Sequence, residues 1–304
     1  MENLKIYSGK GGGGDVVNSP NSIRRLPAIL KKEMLGDINF FTVSAIGGIT
    51  NKLEGVLFSY YENDTEALIS KLSEIEKVHS DFAEDLLPRN ALIATLIHME
   101  VEKIKTFLTT TVPGTLDEDL VYSKVVSLGE ILSALIIKMY LNDCRMQCEY
   151  LDAREAIVTH GYKNAVVDIE TTSKKLWSYV KSLKPTNKRS LVVIGGFIGS
   201  TSNGETSTLG REGSDLTAAV IARVLTAQKL LYFKKFALHD KDPQRFKKAK
   251  FLPQVSLEYL QWLVDTESIK AIFHRKTLLN LIDFKGEIEI IEYANPDNRT
   301  IVIK

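Results

Sequence analysis

Residues 191–227 read LVVIGGFIGSTSNGETSTLGREGSDLTAAVIARVLTA. The apolar run 191–194 has the length and composition of a buried strand. It ends in Gly195, Gly196 and Gly199, passes through a loop of Ser, Thr and Gly, and enters a helix at Ser214 and Asp215. A strand, a glycine loop and a helix N-terminus together make an anion site, because unpaired backbone N–H groups and the helix dipole point at whatever sits there. Glycines let a ligand approach the backbone closely. A tight βα turn with an ordinary cap accounts for any one of these glycines. Six glycines with Arg211 and Asp215 in a single connection point instead to a bound phosphate or carboxylate.

Outward from this segment the chain reads as alternating strands and helices. Strand patterns cover 4–7, 39–44, 146–151, 165–168, 230–238, 269–273, 287–293 and 300–303. Helical patterns cover 22–33, 51–63, 65–86, 92–109, 129–141, 216–227, 243–249 and 256–264, with Ile23, Leu26, Ile29 and Leu30 spaced for one apolar face in the first. Pro113 and Gly114 mark 110–119 as a loop. This alternation predicts an α/β fold with a largely parallel sheet covered on both faces, and ligands in such sheets collect at the carboxyl ends of the strands. Three glycine turns, after the first strand, after the second (Ala45 to Thr50) and after 191–194, fall at that edge. The turn at 184–188 is the best internal boundary, dividing one domain over 1–304 into lobes 1–187 and 188–304.

At 304 residues the chain can bury a sizeable core. Its net charge of +1 gives no electrostatic case for nucleic acid or an anionic membrane. Cys144 and Cys148 stand in DCRMQCEY without further Cys or nearby His, which is a poor zinc set and no disulfide framework. Buried free thiols suit a reducing, cytoplasmic setting. The N-terminus MENLKIYSGK lacks an apolar signal core, and no run of about 18 apolar residues suggests a membrane span. No metal site is expected.

Several segments carry a resemblance. GGFIG at 195–199 with TLGREGSDLTAA at 208–219 resembles the signature of aspartate kinases, enzymes of the amino-acid-kinase fold that phosphorylate the β-carboxylate of aspartate. The family usually has Gly where Glu212 stands. Ser44-Ala-Ile-Gly-Gly48-Ile-Thr50 resembles its second glycine motif, Gly129-Glu130-Ile-Leu-Ser133 its G-E-x-x-S, and Asp152-Ala-Arg154 its D-A-R. The opening K-F-G-G-T-S aligns with Lys10, Gly12 and Gly13, with Gly11 for Phe and Gly14-Asp15 for Thr-Ser. After the 230 strand the family's glycine turn and carboxylates are replaced by Phe233-Lys234-Lys235-Phe236-Ala237, and a family lysine further on has its nearest counterpart in Lys270, one place early before His274 and Thr277.

The resemblance implies an amino-acid-kinase-like αβα sandwich, with aspartate on the 1–187 side and the nucleotide on the 188–304 side. It implies that ATP, with Mg²⁺ bound through its phosphates, phosphorylates L-aspartate to 4-phospho-L-aspartate, a step toward lysine, threonine and methionine. Lys10, Gly12, Gly13 and Asp215 are the implied catalytic groups. Ser44, Gly48, Thr50, Glu130, Arg154, Arg211, Gly213 and Ser214 are the implied substrate contacts; Glu130 takes the ammonium and Arg154 a carboxylate, since Arg grips carboxylate in two places. Gly199, Lys234, Lys235 and Lys270 are the implied nucleotide contacts. A cytoplasmic homodimer is implied as well. The chain stops at Lys304, where such a kinase domain ends, so the family's pair of regulatory ACT modules is not expected. The alternative, motivated by the changed 232–244 segment, is a weakly catalytic or inactive relative that binds aspartate as a sensor or partner subunit.

Overall fold

The computed structural model describes residues 4–14, 16–88, 90–183, 189–266 and 273–304. Its first strand, β1 (Ile6–Gly11), runs past the expected end at residue 7 and carries Lys10 inside the sheet. Glycine does not break this strand; it lets the strand pack closely, for a Cβ on Gly9 would stand 2.8 Å from the Met34 sulfur and one on Gly11 2.8 Å from the Phe41 ring. α1 (Pro20–Glu33) starts at Ser19, whose hydroxyl accepts from the Ser22 amide, with proline in the first turn, where its missing N–H costs nothing. It leads to β2 (Ile38–Val43), α2 (Ile49–Tyr61), α3 (Thr65–Leu86), α4 (Ala91–Thr110), α5 (Glu118–Val126) and α6 (Leu128–Asp143).

The middle of the chain holds β3 (Cys148–Leu151), α7 (Ala153–Ala156), β4 (Val158–His160), β5 (Val166–Val167), α8 (Ile169–Ser182) and β6 (Ser190–Gly195). Then come β7 (Ile198–Thr201), β8 (Thr206–Thr208), α9 (Gly213–Val224) and β9 (Lys229–Lys234). The chain closes with β10 (Gln254–Ser256), α10 (Leu257–Asp265), α11 (Arg275–Ile282), β11 (Glu287–Glu292) and β12 (Arg299–Ile303).

Among the described residues the main sheet has the order β10-β12-β11-β9-β1-β2-β6-β3, parallel throughout except between β11 and β12. Its strands are apolar on both faces. Phe41, Val43, Val193, Leu231 and Phe233 pack under α1 to α6, whereas Phe40, Ile38, Val192, Ile194 and Tyr232 pack against α8 to α11. This is the expected αβα sandwich, and its parallel strands are continuous apolar runs because helices cover both sides. β6, from beyond the expected lobe boundary, lies between β2 and β3, so one sheet passes through both halves. The boundary turn itself, 184–188, and residues 269–272 of an expected strand lie outside the described residues.

Three local expectations differ from the structure. Residues 243–249 form turns, not a helix: their sequence has no apolar face to bury. The strand expected over 230–238 ends at Lys234. The connection read as one loop between 195 and 213 contains the hairpin β7–β8, which joins β4 and β5 in a second, four-stranded sheet.

Residues 118–143 are helical, and long and apolar enough to cross a membrane by length and composition alone. In their most apolar 18-residue window 83% is buried inside the protein, so this apolarity belongs to the core. α6 is apolar all round because it lies between the sheet and the outer helices α3 and α4.

His79 of α3 is fully buried, with Nδ1 2.8 Å from the Ile75 carbonyl. A carbonyl only accepts, so Nδ1 carries the proton and the ring is neutral; burial lowers its pKa to about 4. The unfolded chain therefore binds a proton near pH 6.5 that the fold resists, and this contribution to stability is present above pH 6.5 and lost as pH falls toward 4. Relative to His79→Leu, the native protein is expected to lose about 3 kcal/mol between pH 7 and pH 4. Urea unfolding of both proteins at the two pH values checks this, because every other titrating group is common to the pair. Equal loss in both would mean that His79 already carries charge in the fold.

Candidate active site

The carboxyl ends of β1, β2 and β6 meet the N-terminus of α9, and the turns leaving them interlock backbone against backbone. A Cβ on Gly13 would stand 2.2 Å from the Ala45 carbonyl oxygen, and one on Gly196 2.6 Å from the Ser214 Cβ. No side chain fits at either place. The G-E-x-x-S segment on α6 holds the second glycine turn. Ser133 Oγ accepts from the Ile46 amide at 3.0 Å and donates to the Gly129 carbonyl at 2.8 Å. On α9, Thr217 Oγ1 donates to the Gly213 carbonyl and accepts from the Phe197 amide, while the Ala218 carbonyl accepts from Ser8 Oγ of β1. The small residues of the signature thus seat α9 directly on the sheet.

Lys10, next to last in β1, places Nζ 2.8 Å from Asp215 Oδ1 in the first turn of α9. Lys234, the last residue of β9, places Nζ 2.7 Å from Asp215 Oδ2. Asp215 is 1% exposed. Burial pushes its carboxyl up, but the two ammonium groups more than offset that and hold it below the usual carboxylate range. Asp215 is therefore an ionised anchor between two cations.

Beside this triad lies a cavity of about 460 Å³ whose lining includes Gly13, Ser44, Gly48, Thr50, Glu130, Arg211, Gly213 and Ser214, and also Glu54, Tyr122, Lys163, Asn164, Phe197 and Glu212. Glu130 is 5% exposed, and its Oε2 has no hydrogen-bond partner among the described residues. Burial raises its pKa to about 8, against the opposing pull of backbone N–H groups at Ala45 and Glu130 and of the Lys10 charge. A buried carboxyl with a spare oxygen, aimed into a polar cavity, is suited to an incoming cation.

The remaining expected residues are placed elsewhere. Arg154 does not line the cavity. Its Nε and Nη2 grip the carboxylate of Asp152, two residues earlier, at 3.0 and 2.5 Å, and that local anion takes the guanidinium. Arg211 is the arginine in the wall. Gly199 lies inside β7, where a Cβ would stand 2.8 Å from the Ile157 carbonyl oxygen, and it does not line the cavity. Lys235 is exposed, its Nζ 5.6 Å from the Phe236 ring centroid, and it does not line the cavity. Gly12 sits at the head of the first turn, its carbonyl accepting from the amides of Val16 and Val17. Asp15 and Lys270 lie outside the described residues. No group of three or more His, Cys, Asp or Glu among the described residues is arranged to hold a metal.

Glu54, Tyr122, Lys163 and Asn164 escaped the sequence reading. Tyr122 Oη donates to Glu54 Oε1 at 3.0 Å, and Lys163 Nζ stands 4.0 Å from the Tyr122 ring centroid. Glu54 had a signal, standing one helical turn beyond Thr50 and so on the same face of α2. Tyr122 belongs to α5, most of which falls between the loop read over 110–119 and the helix read over 129–141, and Lys163 and Asn164 sit in a turn without a motif.

The model of the amino acid kinase family matches residues 12–284. The aspartokinase of Chlamydia trachomatis is 27% identical over 285 residues, 93% of this chain. The lysine-sensitive aspartokinase 3 of Escherichia coli is 27% identical over 297 residues, 94% of this chain. The chain spans 61% of the length of each of these two relatives. Among solved structures, that of E. coli aspartokinase III in complex with aspartate and ADP in the R-state superposes with a TM-score of 0.84 at 23% identity, covering 99% of this chain and 65% of that one.

Proposed function

The chain belongs to the amino acid kinase family, and from that premise we propose that it transfers the γ-phosphoryl group of ATP to the β-carboxylate of L-aspartate, giving 4-phospho-L-aspartate. One observation carries the reading. A single cavity presents an unpartnered buried carboxyl, Glu130, and an arginine, Arg211, suited to the two ends of an amino acid, beside a lysine fixed by Asp215. The relatives named above are aspartokinases, and one was solved with aspartate and ADP.

In this reading Glu130 takes the substrate ammonium and Arg211 its α-carboxylate, which leaves the β-carboxylate as the nucleophile. Attack on the γ-phosphorus needs little covalent help from the protein; it needs alignment and charge stabilisation. Lys10 supplies a cation that Asp215 keeps in place, and the turn at Gly12 and Gly13 supplies backbone N–H groups. Ser44, Thr50 and Ser214 offer hydroxyls along the wall. The residues fit a magnesium ion carried on the phosphates, since Mg²⁺ is commonly held by phosphates and waters rather than by an all-protein cage. When bound, Mg²⁺ neutralises charge on the phosphate oxygens. The amino-acid side is assigned mainly to residues 1–187 and the nucleotide side to 188–304, with Lys234 nearest the phosphates. A cytoplasmic homodimer is part of the same reading, and the two free thiols fit a reducing compartment.

A direct assay traps aspartyl phosphate as its hydroxamate with ATP, Mg²⁺ and L-aspartate. Product with aspartate and none with asparagine or glutamate is expected. A second measurement tests the role of Glu130. With its pKa near 8, Glu130 is protonated in the free protein at pH 7, yet an ammonium partner requires the carboxylate. Aspartate binding at pH 7 is therefore expected to release about one proton, and affinity is expected to rise with pH up to about 8. Titration calorimetry in buffers of differing ionisation heat reads that proton. Heats that do not depend on the buffer would remove Glu130 from the ammonium site.

A further inference from the structure

Glu212 closes the turn into α9 with φ 56° and ψ 27°, a left-handed conformation that crowds the Cβ of any residue except glycine. The chain nonetheless places a glutamate there. A carboxylate before a helix usually caps it, but Glu212 makes no side-chain capping hydrogen bond. Its Oε2 is shielded from solvent without a hydrogen-bond partner, and it forms no ion pair among the described residues. It lines the same cavity as Glu130 and Arg211. Burial and the neighbouring Asp215 raise its pKa, while Lys234, Lys10 and Arg211 act in the opposite sense. The side chain thus sits within the field of the three cations that an incoming anion would use.

We propose that Glu212 is the cavity's internal anion, a specificity-determining side chain that takes the charge position at the head of α9 and must be displaced by any phosphate or carboxylate bound there. With Glu54 it sets carboxyl groups in a wall that also holds the cations Lys163 and Arg211. Like charge at this range opposes an anionic ligand directly, and the penalty grows with the ligand's own charge. Affinity for polyanions is therefore set lower here than in the same turn built with glycine. The proposal rests on the phosphoryl-transfer reading only for the identity of its natural ligand.

Sulfate, a fixed dianion, is the probe, read as thermal stabilisation of the protein at rising concentration. ATP·Mg²⁺ binding is measured in parallel by titration calorimetry. Glu212→Gly removes the charge and relaxes the turn, so it is expected to fold; Glu212→Gln removes the charge alone. Sulfate is expected to bind on the order of tenfold more tightly to both variants, after discounting for partial exposure. Sulfate affinity that is unchanged, weaker or undetectable in all three proteins overturns the proposal, whatever ATP does. Tighter sulfate binding with no ATP·Mg²⁺ binding in any of them leaves the role of Glu212 standing and removes the kinase reading instead. Weaker ATP·Mg²⁺ binding in Glu212→Gln would make Glu212 a ligand of the bound nucleotide and would also overturn it.

Discussion

Lys10→Met is expected to slow aspartyl phosphate formation by about 10²–10³-fold while leaving the KM for aspartate within a few-fold of its original value. The ammonium lies at the end of a central strand, 2.8 Å from a carboxylate that is itself buried, so its position is fixed before any ligand arrives. A preorganised cation costs no reorganisation as charge develops on the transferring group, and its loss is felt in kcat. In the proposed reading aspartate is held by Glu130 and Arg211 and has no comparable dependence on Lys10. Initial rates in the hydroxamate assay over a range of aspartate concentrations separate the two constants. A rise in KM with unchanged kcat would make Lys10 a binding group and leave the transition state without its cation.

Asp215→Ala is expected to lower the unfolding free energy by about 3–5 kcal/mol, the usual cost of removing one partner from a buried ion pair. Here the loss takes the shared carboxylate from two cations, Lys10 and Lys234, whose side chains are 9% and 16% exposed. It also leaves the Tyr232 hydroxyl, bonded to the Asp215 backbone carbonyl at 3.1 Å, packed against a disturbed first turn of α9. The double change Asp215→Ala with Lys10→Met is expected to cost less than the sum of the singles, since both changes remove the same ion pair. Chemical denaturation of the three variants measures both effects. Simple additivity would mean that the two residues do not interact in the fold.

The sandwich was legible because its periodicities are long and strong. The run 65–86 has the same bounds as α3, and β2, β6 and β11 lie within a residue of their apolar runs. What escaped has identifiable causes. α8 carries two threonines in its first turn and buries only Thr172, Leu176 and Val180, too few apolar positions to announce a helix after a segment that reads as a strand. The strands of the β7–β8 hairpin are four and three residues long, shorter than an alternation can register. At the site, Lys10, Asp215, Ser44 and Glu130 were legible through motifs that resemble the family's and that fall near strand ends or helix starts. Arg154 is paired with Asp152 and stands outside the cavity lining, which a linear motif does not show. Lys163 and Tyr122 reach the cavity wall through packing between α2, α5 and the turn at 163, which no local pattern encodes.

The order of the sheet also constrains how the protein is made. β1 is complete only when β2 lies on one side and β9 on the other, and the second partner leaves the ribosome more than two hundred residues later: the Ile6 amide waits for the Gln228 side chain, and Tyr7 pairs with Lys229. Until then the N-terminal strand offers an open edge of amide and carbonyl groups, the geometry that recruits foreign strands. Contacts so distant along the chain close slowly, and their loop entropy is spent before they are rewarded. Nascent chains stalled between β6 and β9 are thus the most exposed to aggregation and the ones with most to gain from a chaperone that shields a strand edge.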